Sequence, residues 1–169
     1  MPAVPDWVLP TLLPHAGGIA GALITRPQID TWYASLKKPS WRPPNYYFGP
    51  VWTSLYTGMG YASYLAWRDG GGFEGDAKIP LMLYASQLTL NWAWTPIFFG
   101  AHKLGLAFGE LALLTVNVGA CTFAFWKINQ HAGLLMLPYL AWVSFASFLA
   151  YRIWKDNAVE DKKESKKKS

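Results

Sequence analysis

The sequence predicts an all-α membrane protein, a bundle of five transmembrane helices. The chain of 169 residues is 52% hydrophobic and only 15% charged, and five long segments contain a single Asp, Glu, Lys or Arg, which is Glu110. Each segment has about 20 residues, enough to cross a hydrocarbon layer about 30 Å thick as a helix. A soluble bundle is disfavoured, because its helices would carry charges on a solvent-facing side every second turn. With the last segment extended by one turn, the predicted spans are about residues 7–25, 46–67, 79–101, 104–126 and 132–154.

The basic residues outside the spans predict the orientation. Twelve Lys and Arg residues lie on the side of the loop 26–45, the turn at Lys103 and the C-terminus, and three lie on the opposite side. The positive-inside tendency therefore predicts a cytosolic C-terminus. Four tryptophans at span ends fit interfacial anchors. They are Trp7, Trp67, Trp126 and Trp154.

Residues 1–154 are predicted to form one transmembrane domain, followed by a charged tail, residues 155–169, that we expect to be disordered and cytosolic. A simple solvated end and an attraction to anionic headgroups both fit the tail. Its small net charge does not favour nucleic acid as a partner. Cys121 is the single cysteine, so an intramolecular disulfide and a thiol-based zinc site are excluded. No metal or other cofactor is expected.

The connection between the first two spans, residues 26–45, is the only long loop. Its prolines disfavour helix, and its aromatic side chains are costly to leave in water. We therefore expect the loop to fold back onto the bundle, either as a lid over a binding site or as a cap on the helix ends. The aromatic residues are Trp32, Tyr33 and Trp41.

Among the polar residues inside the predicted spans, Asn91, Glu110 and His15 are candidates for specific roles. Asn91 is expected to face neighbouring helices, through a helix-to-helix hydrogen bond or a ligand contact. Glu110 marks a functional site, or else an ion pair with His102 or Lys103. His15 has no metal-ligating neighbour at helical spacing and is expected to be a hydrogen-bonded polar residue. No catalytic motif is present.

Small residues recur at the spacing that lets helices pack closely. Whether they pack within one chain or between protomers is left open. The pairs are Gly17 with Gly21, Gly18 with Ala22, and Gly105 with Gly109. Prolines inside the spans predict kinked helices, which make room for cavities.

Several long motifs, in order over most of the chain, carry a family resemblance. They are WYASLKKPSWRPPN (residues 32–45), VWTSLYTGMGYASYLAW (51–67), LNWAWTPIFFGAHKLG (90–105), LPYLAW (137–142) and IWKDN (153–157). The sequence resembles the translocator protein family, the peripheral-type benzodiazepine receptors called tryptophan-rich sensory proteins in bacteria, and is closest in type to its animal members.

The resemblance implies a multi-pass protein of the mitochondrial outer membrane with a cytosolic C-terminus. It further implies a receptor or translocator, not an enzyme, that binds cholesterol, porphyrins and benzodiazepine-type ligands in an apolar pocket and aids cholesterol transport into mitochondria. The implied pocket residues are Ala22, Phe48, Gly49, Val51, Trp94, Leu106, Ala107, Glu110, Leu113, Trp142, Ala146 and Leu149. The implied cholesterol motif is Leu149, Tyr151 and Lys155, and the implied porphyrin contacts are Trp52, Asn91 and Trp142.

Four positions depart from the family pattern. Arg152 stands where animal relatives commonly carry a second aromatic residue, and Leu106 replaces a common tryptophan. Met82 and Ser86 replace a glycine pair on the third span, which weakens the prediction that this span forms a dimer face. Alternatives to a binding protein are a light-dependent porphyrin-modifying activity and a membrane scaffold. Implied partners besides these ligands are the lipid bilayer, a second copy in a homodimer and other mitochondrial outer-membrane proteins.

Overall fold

The fold is entirely helical within the residues that the structure describes. The structure is a computed structural model and describes residues 4–168, with side chains for residues 4–158. Its helices are α1 (Val8–Ile29), α2 (Trp32–Ser35), α3 (Asn45–Asp69), α4 (Lys78–Thr95), α5 (Leu104–Ile128) and α6 (Gln130–Lys168). A short 3₁₀ turn, Gly72–Glu74, follows α3, and a π-helical segment, Pro96–Gly100, continues α4. The predicted all-α class is confirmed.

Within the described part of the chain, three helices are long and apolar enough to cross a membrane. They are Val8–Ile29, Leu104–Ile128 and the first part of α6, Gln130–Ala158. Helices α3 and α4 fall below this limit because their sequences contain many Tyr and Trp, together with Gln87 and Asn91, which lower hydropathy. The membrane character is therefore confirmed, and the count of five crossings stays a prediction.

The outer surface of the bundle is apolar. Leu9 and Leu23 of α1 are 74% and 72% exposed, and Val116 and Phe123 of α5 are 72% and 63% exposed. Such a surface is costly in water but matches lipid chains.

The core forms where α3, α4, α5 and α6 pack together, with α1 against α3 and α4. Its largest fully buried side chains include Met59, Leu114, Phe125, Met136 and Tyr139. These residues come from α3, α5 and α6, so the core ties distant parts of the chain together.

A hydrogen-bonded polar network crosses this core. The Tyr56 hydroxyl donates to Asn91 Oδ1 (2.9 Å), and Asn91 Nδ2 donates to the Tyr139 hydroxyl (2.9 Å). Tyr139 in turn donates to Gln87 Oε1 (2.8 Å). Asn91 thus faces neighbouring helices as expected, and the network fixes α3, α4 and α6 relative to one another.

Two glycines of the bundle sit at close helix contacts. A Cβ built on Gly17 would lie 2.1 Å from the Trp92 indole, and one built on Gly60 would lie 2.6 Å from the Pro10 carbonyl oxygen. By contrast, no atom lies within 4 Å of a Cβ built on Gly109. The small residues of α1 therefore serve packing within the chain.

The predicted disorder of residues 155–169 stays a prediction. The backbone continues α6 to Lys168. Arg152 and Asp156 form an i,i+4 ion pair (3.3 Å), and the sequence beyond them offers further acid and lysine pairs at helical spacing, which stabilise helix.

Candidate functional site

The loop between α1 and α3 folds back onto one end of the bundle. We call this the basic end, because Arg26, Lys37, Lys38, Arg42 and Lys103 belong to it. Tyr33 of α2 is buried, with its ring centroid 5.4 Å from Phe99 and 6.1 Å from Phe98. Trp32 stacks on His102 at 3.9 Å. The predicted folding back is confirmed by this packing, which anchors the loop by aromatic contacts.

A side chain from α6 holds the middle of the loop. The Lys37 N–H donates to Asn157 Oδ1 (3.0 Å), and Asn157 Nδ2 donates to the Lys37 carbonyl (3.0 Å). We call this pair of bonds the latch. It joins residues 120 positions apart, so an amide side chain connects the loop to the last helix.

Lys38 and Tyr33 stabilise the loop from within. Lys38 Nζ donates to the Tyr33 carbonyl (2.5 Å) and the Leu36 carbonyl (2.7 Å) and lies 4.7 Å from the centre of the Tyr33 ring. Burial lowers the pKa of Lys38, and the positive charge of Arg42 lowers it further. Burial raises the pKa of the Tyr33 hydroxyl, against the opposing effect of Arg42.

The π-helical segment shapes the floor beneath the loop. The Ala101 N–H donates to the Pro96 carbonyl (2.8 Å), five residues back. This wider turn allows consecutive side chains, Phe98 and Phe99, both to be buried. Trp94 stacks on Phe98 at 4.7 Å, so the segment presents an aromatic surface to the loop.

A small hydrophobic cluster at this end is separate from the main core. We call it the basic-end cluster, and its buried members are Tyr33, Phe98, Phe99, Ala107, Leu149 and Ile153. Phe48 and Trp94, half-buried, pack against it. Ala107, Leu149, Phe48 and Trp94 are all predicted pocket residues, and the fold brings them together from four helices.

Trp142 lies beside this cluster. Its ring is 5.7 Å from Phe48 and 5.6 Å from Phe145. Val51 and Ala146, two further predicted pocket residues, pack against the main core together with Trp142. These residues form the inner side of the candidate site.

Three predicted pocket residues carry buried polar atoms that have no hydrogen-bond partner among the described residues. They are Nε1 of Trp94, Nε1 of Trp142 and both carboxylate oxygens of Glu110. An unsatisfied buried polar group costs about 1–3 kcal/mol, so such groups are exceptions that require an explanation. Two donors and one carboxylate here are available to a ligand.

The alternative reading of Glu110 as an ion-pair partner is not supported by the structure. His102 instead shares a hydrogen bond with Gln28 Oε1 (3.1 Å) and stacks on Trp32. The carboxylate oxygens of Glu110 have no partner in the described part of the chain. His15, in contrast, is hydrogen-bonded as expected, with Nε2 3.2 Å from the Thr57 hydroxyl.

Four predicted pocket residues lie on the outer surface. Leu106 and Leu113 are each 57% exposed, and Ala22 and Gly49 are also exposed. Positions seven apart fall on one side of a helix, which places Leu106 and Leu113 on the outer side of α5. The structure therefore does not bring these four residues into the interior with the others.

The three residues of the cholesterol motif do not share one face of α6. Tyr151 and Lys155 are about 200° and 240° around the helix from Leu149. Leu149 is buried in the basic-end cluster, whereas Tyr151 contacts Phe108 at 5.3 Å and Lys155 lies over the Tyr151 ring. A molecule lying along the outer side of α6 would meet Tyr151 and Lys155 but not Leu149.

The three predicted porphyrin contacts have different surroundings. Trp52 lies 5.3 Å from the Tyr56 ring and 6.2 Å from the Tyr139 ring. Both amide atoms of Asn91 are used by the polar network, while Nε1 of Trp142 is unpartnered.

Sequence reasoning missed several residues of the site. Phe98, Phe99 and Phe145 line it, and Asn157 holds the loop. The adjacent phenylalanines after Pro96 offered a signal, because a helix broken by proline can bury neighbouring side chains together. Nothing in the sequence pointed to Asn157, whose partner is a backbone group.

Taken together, the fold and the site define a class: an all-helical membrane protein with an aromatic cluster under a folded-back loop. The family follows from comparison with known proteins. The chain belongs to the TspO/MBR family, whose model matches residues 10–155. The resemblance drawn from the sequence is thereby confirmed.

The relatives come from animals and an archaeon. The chain is 49% identical to Translocator protein of Bos taurus over 159 residues, covering 92% of this chain and 94% of the relative. It is 46% identical to Translocator protein of Homo sapiens over 156 residues, covering 90% and 92%. It is 38% identical to Tryptophan-rich protein TspO of Archaeoglobus fulgidus over 141 residues, covering 83% and 90%.

Proposed function

We propose that this protein crosses the membrane five times and binds an apolar, planar or sterol-like molecule at the basic end, beneath the folded-back loop. The single observation that carries the proposal is the set of unpartnered polar atoms on Trp94, Trp142 and Glu110. The two indole N–H groups lie among aromatic, mostly apolar side chains, and a few polar groups in such surroundings are typical of small-molecule sites.

The polar atoms suggest which ligands fit. An indole N–H needs an acceptor, and a carboxylate needs a donor. A sterol hydroxyl can do both, a porphyrin offers carboxylates and pyrrole N–H groups, and a benzodiazepine-type ligand offers carbonyl acceptors. Most of the affinity would come from apolar burial, at about 25 cal/mol per Å² before the costs of association.

The proposed setting is the mitochondrial outer membrane with a cytosolic C-terminus, and the proposed role is non-enzymatic binding of cholesterol, with assistance to its transport into mitochondria. The name of two relatives, Translocator protein, supports a role in translocation. The excess of basic residues at one end supports the orientation. A homodimer and other outer-membrane proteins are further proposed partners.

A binding experiment on reconstituted protein tests the site. Trp94→Phe and Trp142→Phe keep the ring contacts with Phe98 and Phe48 and remove only the N–H. Each should weaken a carbonyl-bearing isoquinoline or benzodiazepine probe by about two- to tenfold, as expected for one hydrogen bond. Competition with radiolabelled cholesterol and protoporphyrin then compares the three ligand classes.

Phe123→Leu is the matched control, since Phe123 is exposed on α5 at the other end of the helix. Its dissociation constants should equal those of the wild type. Unchanged constants in both tryptophan variants would reject the assignment of the site.

A second candidate is light-dependent modification of a bound porphyrin by Trp52 and Trp142. It is favoured by the position of Trp52 between two tyrosine rings of the polar network. Illumination with protoporphyrin should give no product if the protein only binds; a product that disappears in the Trp52→Phe, Trp142→Phe double variant would establish the activity.

A scaffold role would depend on the lysine-rich tail. Deletion of residues 162–169 should then abolish partner recruitment and spare ligand binding; the binding proposal expects neither to change.

A further inference from the structure

A cavity lies at the end of the bundle opposite the basic end. We call it the far cleft, and its volume is about 560 Å³. It lies between α3 and α6, near the junction of α5 with α6. Its lining residues are Tyr61, Leu65, Arg68, Asn129, His131, Leu134, Leu135 and Pro138.

The far cleft runs along the helices. Tyr61, Leu65 and Arg68 recur every three or four positions, so they lie on one side of α3. From Tyr61 to Arg68 is about 10 Å along the helix axis. Deeper in the bundle the two helices approach closely, because a Cβ built on Gly58 would lie 3.6 Å from the Leu135 carbonyl oxygen.

The polarity of the far cleft changes along its length. Arg68, Asn129 and His131 lie toward the helix ends, and Tyr61, Leu134 and Pro138 lie toward the middle of the bundle. Arg68, Tyr61 and Leu134 have 50%, 38% and 48% of their surface exposed, so the cleft is open to its surroundings. A polar end and an apolar wall fit a molecule with a polar headgroup and a hydrocarbon chain.

The charges at the polar end are paired in a fixed arrangement. Arg68 Nε and Nη2 donate to the two oxygens of Asp69 (2.5 and 3.0 Å), and the Asn129 amide donates to the same carboxylate. These bonds, from Arg68 first and then from Asn129, lower the pKa of Asp69, so it stays ionised at neutral pH. Asp69 is not itself a lining residue but is bonded to Arg68 and Asn129, which are, so a guanidinium and a carboxylate stand side by side at the polar end of the cleft.

We propose that the far cleft binds a glycerophospholipid with a zwitterionic headgroup. The phosphate lies against Arg68, the amine or choline faces Asp69, and one acyl chain follows Tyr61, Leu134 and Pro138. Guanidinium groups are favourable phosphate partners, and the paired carboxylate complements the headgroup cation. This inference uses the membrane placement proposed above but not the ligand site at the basic end.

Native mass spectrometry tests the inference. The full-length protein in a non-ionic detergent is incubated with phosphatidylcholine, with phosphatidylglycerol or with diacylglycerol of the same acyl chains, and the retained lipid is counted. We expect one phosphatidylcholine per chain. Diacylglycerol, which lacks the phosphate, and phosphatidylglycerol, which lacks the cation, should each be retained about tenfold less.

Two cleft variants and one control variant separate the parts of the site. Arg68→Gln removes the phosphate partner and Leu134→Trp fills the apolar wall, and each should reduce retention of phosphatidylcholine about tenfold. Val116→Trp adds the same bulk on the outer side of α5 and should retain the lipid like the wild type. Tyr61→Ala, which opens the wall, is used if Leu134→Trp fails to fold.

Equal retention by the cleft variants and Val116→Trp would overturn the inference, and equal retention of phosphatidylcholine and diacylglycerol would do the same. A preference for phosphatidylglycerol would refute the zwitterionic headgroup. Binding of an isoquinoline probe at the basic end is measured in parallel. If the wild type did not bind this probe, the result would count against the proposed function but would not bear on the inference about the far cleft.

Discussion

The latch between Asn157 and the loop gives a prediction about ligand exchange. If the loop covers the site at the basic end, a bound molecule leaves only after the loop lifts away. Asn157→Ala removes both side-chain bonds to Lys37 while the backbone of α6 is unchanged. The variant should therefore release ligand faster than the wild type.

The size of the effect follows from the geometry. Both latch bonds are 3.0 Å long, and a hydrogen bond of this kind contributes about 1 kcal/mol net. Two such bonds give about 2 kcal/mol, which corresponds to about a 30-fold shift of the equilibrium between closed and open loop. The ring contacts of Tyr33 with Phe99 and of Trp41 with Phe145 and Phe148 remain, so the loop should still close.

The assay is the dissociation of a radiolabelled isoquinoline probe from reconstituted protein after addition of excess unlabelled probe. The off-rate should rise by up to about 30-fold. The on-rate should rise by less than the off-rate, because opening of the loop is expected to limit release of the ligand more than its entry.

Asp156→Ala is the matched control. It removes the neighbouring ion pair with Arg152 on the same turn of α6 and does not touch the loop. Its off-rate should equal that of the wild type. An unchanged off-rate in Asn157→Ala would refute the latch, and an equal increase in both variants would show that the helix end, not the latch, controls release.

Three further predictions concern single residues. Glu110→Leu removes a buried carboxylate without a partner, so it should stabilise the ligand-free protein by about 1–3 kcal/mol, measured by thermal unfolding in detergent, and should weaken probe binding. A lower stability would contradict the conclusion that this carboxylate is unpaired. Asn91→Ala should destabilise the fold by about 1–3 kcal/mol in the same assay, because the hydroxyls of Tyr56 and Tyr139 both lose a hydrogen-bond partner. Unchanged stability would show that the polar network does not contribute to the stability of the fold. Tyr33 should ionise only at high pH, because burial raises its pKa. Loop docking should therefore be intact below about pH 10 and weaken as the pH rises through the raised pKa. The difference in tyrosinate absorbance between the wild type and Tyr33→Phe should show one group that titrates late.

Much of the fold could be predicted because charge placement follows the lipid boundary. Uncharged segments ended close to the observed helix ends, as at Trp126 near the end of α5, because a charged side chain is costly inside hydrocarbon. The tail is harder to predict: its composition suggests disorder, but oppositely charged residues at helical spacing also favour helix, as the Arg152 and Asp156 pair illustrates.

The candidate site could be predicted only in part. Trp94, Ala107 and Leu149 were assigned to one pocket through the family resemblance, and they do meet near one cluster. The inward or outward direction of each side chain could not be read from the sequence, because Leu106 and Ala107 are neighbours on α5 yet face opposite environments. The latch also could not be foreseen, since any residue except proline at position 37 offers the same backbone groups.

Gly60 has a consequence for how freely this chain can vary. Its neighbour is the main chain of α1, which cannot rotate away as a side chain can, so even one methyl group would push the first helix outward. Position 109 has open space around it and should accept alanine readily. Comparing the effect of a Gly→Ala change at these two positions would therefore distinguish a helix surface that packs against another helix from one that contacts only lipid.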